Sequence, residues 1–304
     1  MRPFDRDLVT LHRMRAAPLL EAHDFLFRAV AERLVDRLED TTRRFPIALD
    51  LGCHGGELRR ALNGRGGIER LVQSDLSPAM ARRASGLALA LDEEALPFAE
   101  ASFDLILSNL SLHWVNDLPG ALIQARRALK PDGLLLAAML GGETLRELRA
   151  SLLEAELEIE GGAGPRISPF ADLRDAGGLL QRAGFALPVI DRDDITVTYP
   201  DALALMRDLR GMGETNAVRS RRRSFTPRAT LLRAAALYRE RFAGPDGRIP
   251  ATFQVIFLTG WAPHESQQQA LRPGSARARL ATALDSVEQP AGDKARLGRR
   301  RGDA

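Results

Sequence analysis

This chain of 304 residues has one cysteine, few aromatic residues and no long apolar run. With Cys53 as its sole cysteine it can form no internal disulfide, which favours a reducing compartment. No apolar run approaches the roughly 20 residues that a membrane helix needs. The first residues include acids and no apolar signal core, so we expect neither a secretory nor a transit peptide. These absences predict a cytoplasmic protein that is not an integral membrane protein.

Lysine is also scarce, although the chain is basic. Lys130 and Lys294 are the only lysines among 43 basic residues, and 40 acids leave a net charge of +3. The arginine bias indicates genomic composition rather than selection for a polyanion. Aromatic residues, at 5%, are too sparse to interleave with arginines as a nucleic-acid surface requires, so we predict no nucleic-acid partner. The one internal basic run, 219–223, is either a solvated loop or a docking patch for an acidic partner.

Residues 46–56, Pro-Ile-Ala-Leu-Asp-Leu-Gly-Cys-His-Gly-Gly, are the most informative stretch. An apolar run ends in an acid and a glycine cluster, and a helical pattern follows. This predicts a strand, loop and helix in which bare backbone approaches a ligand at the helix N-terminus. Asp75 ends a second apolar run, where an acid can bind both hydroxyls of a ribose. The pair Asp92-Glu93 opens the loop before Leu96-Pro97-Phe98, where an adenine would lie.

Two more strands are predicted at 103–109 and at 134–139, the second after the turn Lys-Pro-Asp-Gly at 130–133. The order of all these motifs resembles the class I S-adenosylmethionine-dependent methyltransferases. The resemblance implies an α/β, Rossmann-like seven-stranded fold with N-terminal helices and a helical insertion before the last strand. It implies S-adenosyl-L-methionine as the cofactor. No His-x-Asp with a distant His stands in a convincing position for an iron site of two histidines and one carboxylate, so no metal is predicted. The expected cofactor-binding residues are Asp50, Gly52, Cys53, His54, Gly56, Asp75, Leu76, Asp92, Glu93 and Ser108.

A narrower resemblance covers the chain from Phe4 to about Glu265. It depends on the segments 4–8, 111–119, 141–145, 167–170, 211–216 and 261–265. With these the chain resembles the respiratory complex I assembly factor 5 family, the arginine hydroxylase branch. The resemblance implies an enzyme that modifies an arginine on a subunit of NADH:ubiquinone oxidoreductase, with peripheral contact to the inner membrane face allowed.

Two other functions stay open. Malonyl-ACP O-methyltransferase of biotin synthesis shares the core motifs and part of the insertion, and would need a pocket arginine for the malonyl carboxylate. The other hypothesis is a non-catalytic assembly factor that binds S-adenosylmethionine. Substrate contacts are predicted at His113, Trp114, Glu214 and Asn216, and no catalytic residue is assigned.

Several single residues allow two interpretations. His54 stands where the family usually has glycine; at positive φ it costs roughly 1–2 kcal/mol, and it is either tolerated or touches the methionine carboxylate. Cys53 is expected to pack rather than react. His113 either packs or contacts substrate. The loop 211–216 is either a glycine helix cap or a substrate wall.

The predicted organisation is a helical leader at 1–44, a methyltransferase domain at 45–266 and a disordered tail at 267–304. The domain has its core at 45–140 and a helical cap at about 198–248. Phe27, Val30, Leu34 and Leu38 form one face of a predicted helix at 24–38. Other helices are predicted at 144–160, near 179–180, at 202–209 and at 230–241. A strand pair or one bent strand is predicted at 187–197, and the last strand at 251–261.

Overall fold

The computed structural model describes residues 2–168, 173–268, 275, 279–287 and 292. A sheet of seven strands, in the order β3-β2-β1-β4-β5-β7-β6, forms its centre. The strands are β1 (Ile47–Leu51), β2 (Arg70–Asp75), β3 (Leu87–Ala90), β4 (Phe103–Asn109), β5 (Leu129–Leu140), β6 (Ala186–Tyr199) and β7 (Ile249–Trp261).

Strands β1 to β5 are parallel, and β7 lies antiparallel between β5 and β6. Strand order reverses between β1 and β4, and the carboxyl ends of strands beside such a reversal form a crevice where ligands bind. The Rossmann-like seven-stranded fold predicted from the sequence is therefore confirmed.

Helices cover the two faces of the sheet. In unit 1–265 they are α1 (Arg6–Ala16), α2 (Phe25–Glu39), α3 (Glu57–Leu62), α4 (Pro78–Ala81), α5 (Leu118–Ala128), α6 (Arg146–Glu160), α7 (Leu173–Arg182), α8 (Ala202–Met212) and α9 (Arg228–Phe242). Aspartates accept a backbone N–H at the starts of α1, α5 and α8, which satisfies donors that a helix end leaves free. The predicted apolar face of α2 is buried throughout.

Three of the strands, β3, β5 and β6, differ from the sequence prediction. β3 belongs to the predicted seven strands but was given no position, because its four residues have no distinctive alternation. The predicted turn at 130–133 lies inside β5, where the pairing with β4 shifts register between Phe103 and Leu105. β6 is one strand with a register shift between Ala186 and Val189, so the bent strand is right and the strand pair is wrong.

The N-terminal segment and the cap are hydrogen-bonded to each other. Phe4 forms an isolated antiparallel bridge with Val218, and the Asp5 N–H donates to the Ala217 carbonyl at 2.8 Å. Phe4 packs edge to face on Trp114, with ring centroids 5.4 Å apart. These contacts hold the start of the chain and the loop after α8 beside the end of β4.

Residues 266–304 form the second unit, in which the described residues include a short helix, α10 (Leu280–Ala283). The predicted disorder of 267–304 stays a prediction, and Pro169 and Phe170 of the 167–170 motif lie outside the described residues. No helix within the described part of the chain combines the length and apolar character that a membrane span requires.

The buried face of α2 gives a test of the fold. Leu34 is fully buried in the hydrophobic core cluster that includes α2, so Leu34→Ala should lower the free energy of unfolding by about 2–5 kcal/mol. The matched control is Leu203→Ala on α8, where the leucine is 49% exposed and the change should stay within roughly 0.5 kcal/mol. Urea unfolding measures both free energies. A loss for Leu34→Ala as small as that for Leu203→Ala would mean that α2 is not part of the core.

Candidate active site

The glycine loop joins β1 to α3. Gly52 and Gly56 have φ of +82° and +84°, which glycine adopts at no steric cost. A Cβ added at Gly52 would lie 2.1 Å from the Cβ of Ser111. Gly52 N–H and Cys53 N–H donate to the Ser74 carbonyl, at 2.8 and 2.7 Å, which fixes the loop against the end of β2.

Asp50, at the end of β1, is a buried carboxylate without a partner. It is completely buried, and no described residue donates a hydrogen bond to either of its oxygens. Burial, reinforced by the charges of Glu57 and Asp75, raises its pKa well above the usual range. A ligand that brought a donor or a positive charge to this loop would remove that cost.

His54 has φ of +47°, so the residue occupies the left-handed region that favours glycine. Its ring is buried, stacks on Phe27 with centroids 4.2 Å apart, and donates through Nε2 to the Asn109 carbonyl at 3.0 Å. Burial and the nearby Arg13 charge lower its pKa, which favours a neutral imidazole. These contacts give the ring a packing role between α2 and the end of β4.

Asp75 ends β2, as predicted, but is already engaged. Its Oδ2 accepts from Arg13 Nη1 at 3.2 Å and from the His54 N–H at 3.1 Å, while Oδ1 accepts from the Ser77 N–H at 2.8 Å. Arg13, on α1, is 1% exposed and also donates to Ser111 Oγ at 3.0 Å. Burial would lower the pKa of Arg13, but the charges of Asp75 and Glu93 outweigh it and raise the pKa.

The acid pair after β3 has two different environments. Glu93 is buried, is paired with Arg6, lies 3.6 Å from Arg13 Nη1 and accepts from Ser111 Oγ at 2.6 Å. Burial would raise the pKa of Glu93, yet Arg6 and Arg13 lower it to about 2. Asp92 is 40% exposed and accepts from Arg6 Nη2 at 2.7 Å. Arg6 therefore holds both acids at the edge of the predicted nucleoside site, and Arg13 adds a second positive charge beside Glu93.

The remaining predicted cofactor residues, Ser108, Leu76 and Cys53, make contacts within the protein that stabilise the fold. Ser108 Oγ donates to the Leu51 carbonyl at 2.7 Å, and Leu76 packs with the cluster around Phe4 and Trp114. Cys53 is buried, and burial raises the pKa of its thiol, so no reactive thiolate is expected.

Three of the four predicted substrate residues come together. Glu214 Oε2 accepts from His113 Nε2 at 3.0 Å and from Trp114 Nε1 at 2.9 Å. Burial would raise the pKa of Glu214, but the charge and hydrogen bond of His113 hold it below the ordinary value. The Asn216 amide donates to the Pro165 carbonyl at 2.7 Å, and Asn216 lines the same cavity as Trp114 and Glu214. Gly213 caps α8 at φ of +81°, so the loop is a helix cap that also places Glu214.

Two cavities adjoin this cluster. One, of about 340 Å³, is mostly apolar and includes Trp114 and Glu214 in its wall. The other, of about 860 Å³, is an arginine-lined groove with Arg15, Arg166, Arg207, Arg210, Arg221 and Arg222. Arg166 and Arg210 line both, so the groove and the apolar cavity meet there. Among the described residues, no group of three or more His, Cys, Asp or Glu side chains is placed to hold a metal.

Arg6, Arg13 and Ser111 were not predicted as site residues. A signal for Arg13 exists in the sequence: Val9, Arg13 and Ala16 follow helical spacing and form the buried face of α1. An arginine on an otherwise apolar helical face needs an acidic partner if that face is buried. The partners themselves could not be read from that spacing.

Comparison with known proteins agrees with this geometry. The family profile described as "Methyltransferase domain" matches residues 49–137. The YcgJ protein of Bacillus subtilis has a similar fold, with a TM-score of 0.53 at 16% identity over 76% of this chain and 98% of that one. Fold and loop together define a class I methyltransferase-fold protein.

The relatives narrow the class to a family. The chain is 45% identical to the zebrafish (Danio rerio) protein named "Arginine-hydroxylase NDUFAF5, mitochondrial", over 92% of this chain and 89% of that protein. The human protein of that name is 46% identical, over 90% and 81%. The malonyl-[acyl-carrier protein] O-methyltransferase of Halorhodospira halophila is 37% identical, over 83% and 86%. The chain belongs to the NDUFAF5 arginine-hydroxylase family within the methyltransferase superfamily.

The predicted cytoplasmic localisation is wrong by this comparison, because the NDUFAF5 relatives are named mitochondrial. The prediction used the single cysteine, the lack of a long apolar run and the character of the first residues. Those features agree with a reducing environment but do not specify a particular compartment.

The low pKa of Glu93 predicts how stability depends on pH. The pKa of Glu93 is about 2 in the folded state and near 4.5 in the unfolded state. Its stabilising contribution is therefore fully present above about pH 4.5 and is lost as the pH falls towards 2. Glu93→Gln should therefore cost up to about 3 kcal/mol near neutral pH and much less near pH 3. Urea unfolding at several pH values measures this. The exposed Glu69→Gln is the control, and a pH-independent cost would contradict the assignment.

Proposed function

We propose that the chain binds S-adenosyl-L-methionine and modifies an arginine of a complex I subunit by adding an oxygen atom. The similarity to arginine hydroxylases over about nine-tenths of the chain supports this more strongly than any other observation. Because the aligned region covers about nine-tenths of this chain, the cap and its Glu214 loop lie inside it.

The residues fit the proposed cofactor, with one condition. The orphaned Asp50 carboxylate beside the glycine loop suits the ammonium of the amino-acid end. Asp75 would hold the ribose and Asp92 the adenine amino group, but Asp75 is buried and paired with Arg13, so that guanidinium must move aside. When bound, the cofactor supplies a sulfonium with an activated methyl group.

This chain's own residues would position and desolvate the substrate. His113 and Trp114 hold Glu214 ionised beside a mostly apolar cavity, and positioning alone can accelerate a reaction greatly. Hydroxylation is a two-electron oxidation that replaces a bond to hydrogen in the arginine by a bond to a hydroxyl group. It needs a co-reactant of the class of O2 with a two-electron reductant, the second oxygen atom leaving as water, because S-adenosylmethionine provides neither. The test below therefore measures the mass of the product rather than cofactor consumption.

A specific observation favours malonyl-ACP O-methylation as the second candidate. The arginine-lined groove contains Arg15, Arg207 and Arg210, which form no ion pair with any described residue and would suit an acidic carrier or a carboxylate. Against it, the ionised Glu214 in the adjoining cavity would repel a malonyl carboxylate. Identity to that family is also lower.

The cofactor assignment can be tested at Asp75. Asp75→Asn keeps the shape and one acceptor but removes the charge, so affinity for S-adenosylmethionine should fall about 10- to 100-fold. Calorimetry measures the affinity, with the exposed Asp36→Asn as the control and a melting curve to check folding. Unchanged affinity in a folded variant would place the ribose elsewhere.

The reaction can be tested in cells. Deleting the gene should reduce assembled complex I and leave biotin synthesis intact, and the modified subunit should lose an arginine heavier by one oxygen atom. Intact-peptide mass spectrometry of the subunit, with the gene restored as control, measures this. A methyl group in place of the oxygen would mean arginine methylation, no mass change would support a non-catalytic assembly role, and rescue of a biotin auxotroph would favour the second candidate.

A further inference from the structure

The apolar cavity beside Glu214 lies between α6, α8 and β7. Its wall includes Leu145, Leu148, Leu209, Met212 and Phe253. At about 340 Å³ it falls within the range of small-ligand pockets. A long apolar wall beside a carboxylate suits a ligand with an apolar stem and a cationic end.

Glu214 is the charged group that distinguishes this cavity. Its side chain is 6% exposed, and both of its described hydrogen bonds reach Oε2. No described residue donates to Oε1. Arg13 acts on Glu214 through its charge but makes no hydrogen bond to it. Because a buried charged oxygen without a donor is costly, Oε1 is available for a donor that the protein does not supply.

Two arginines also belong to the cavity wall. Arg166 is paired with Glu156, and Arg166 and Arg210 also line the neighbouring groove. Thr215 and Asn216 line both as well, whereas Trp114 and Glu214 line the apolar cavity and not the groove. Glu214 is the acidic residue of the cavity wall.

We propose that Glu214 is the guanidinium-binding residue of the substrate pocket, with the methylenes of a substrate arginine along the apolar wall and its N–H groups donating to Oε1. The inference rests on the proposed function for the identity of the substrate, but it concerns binding alone. Guanidinium has five planar donors and a permanent charge, whereas citrulline has nearly the same shape without the charge. Arginine should therefore bind more tightly than citrulline.

The chain offers a direct readout of this binding. It has only two tryptophans, Trp114 and Trp261, and the Trp114 indole donates to the same carboxylate. In a ¹⁵N–¹H spectrum of the full chain, N-acetyl-L-arginine amide should shift the Trp114 indole signal saturably and leave that of Trp261 unchanged. Trp261→Phe assigns the two signals. N-acetyl-L-citrulline amide should bind about 10- to 100-fold more weakly.

A matched pair of variants tests the charge. Glu214→Gln keeps the side-chain size and an acceptor for Trp114, and should abolish the preference for the arginine probe over the citrulline probe. The exposed Glu69→Gln, with the same change in net charge, should retain it. Equal binding of the two probes to the wild type, no Trp114 shift with the arginine probe, or a preference kept in Glu214→Gln would overturn the proposal.

If Glu214→Gln does not fold, the comparison of the arginine and citrulline probes on the wild-type protein still decides the proposal. Failure of the proposed function is separable from failure of this inference. An unmodified complex I subunit in cells would reject the reaction while a selective Trp114 shift would still support guanidinium binding. A modified subunit with no probe selectivity would reject Glu214 and leave the reaction standing.

Discussion

The buried guanidinium of Arg13 joins the N-terminal helix to the carboxyl ends of the parallel strands. A buried charge costs several kcal/mol unless it is paired, and Arg13 has Asp75 after β2, Glu93 after β3 and Ser111 after β4 as partners. Removing either carboxylate leaves the charge of Arg13 incompletely compensated. The position of α1 over the sheet edge therefore depends on this cluster.

The cluster also connects the two halves of the candidate site. α1 follows directly after Phe4 and Asp5, which are hydrogen-bonded to the loop that contains Glu214. Asp75 belongs to the edge where the proposed cofactor would bind, so a ribose at Asp75 must compete with Arg13. Cofactor binding and the position of the leader are then coupled through one carboxylate, because its lone pairs cannot satisfy all donors at once.

The fold alone does not decide the chemistry, since methyltransferase-fold proteins share the sheet and the glycine loop. What separates the candidate functions is the charge in the cavity under the cap. A buried, ionised Glu214 favours a cationic ligand, whereas the arginines of the neighbouring groove favour an anionic one. The cap residues therefore carry more information about substrate than the core residues do.

The sequence by itself determined the parallel core, because an apolar run ended by an acid and glycines, as at Asp50 and Gly52, is a local signal. It also indicated Asp75 and the helical face of α2 for the same reason. Tertiary structure decided which charges are buried together: Arg13 is 62 residues from Asp75, and His113 is 101 residues from Glu214. Helical periodicity shows that Arg13 lies on the face of Val9, but only packing shows that this face is buried and which acids meet it.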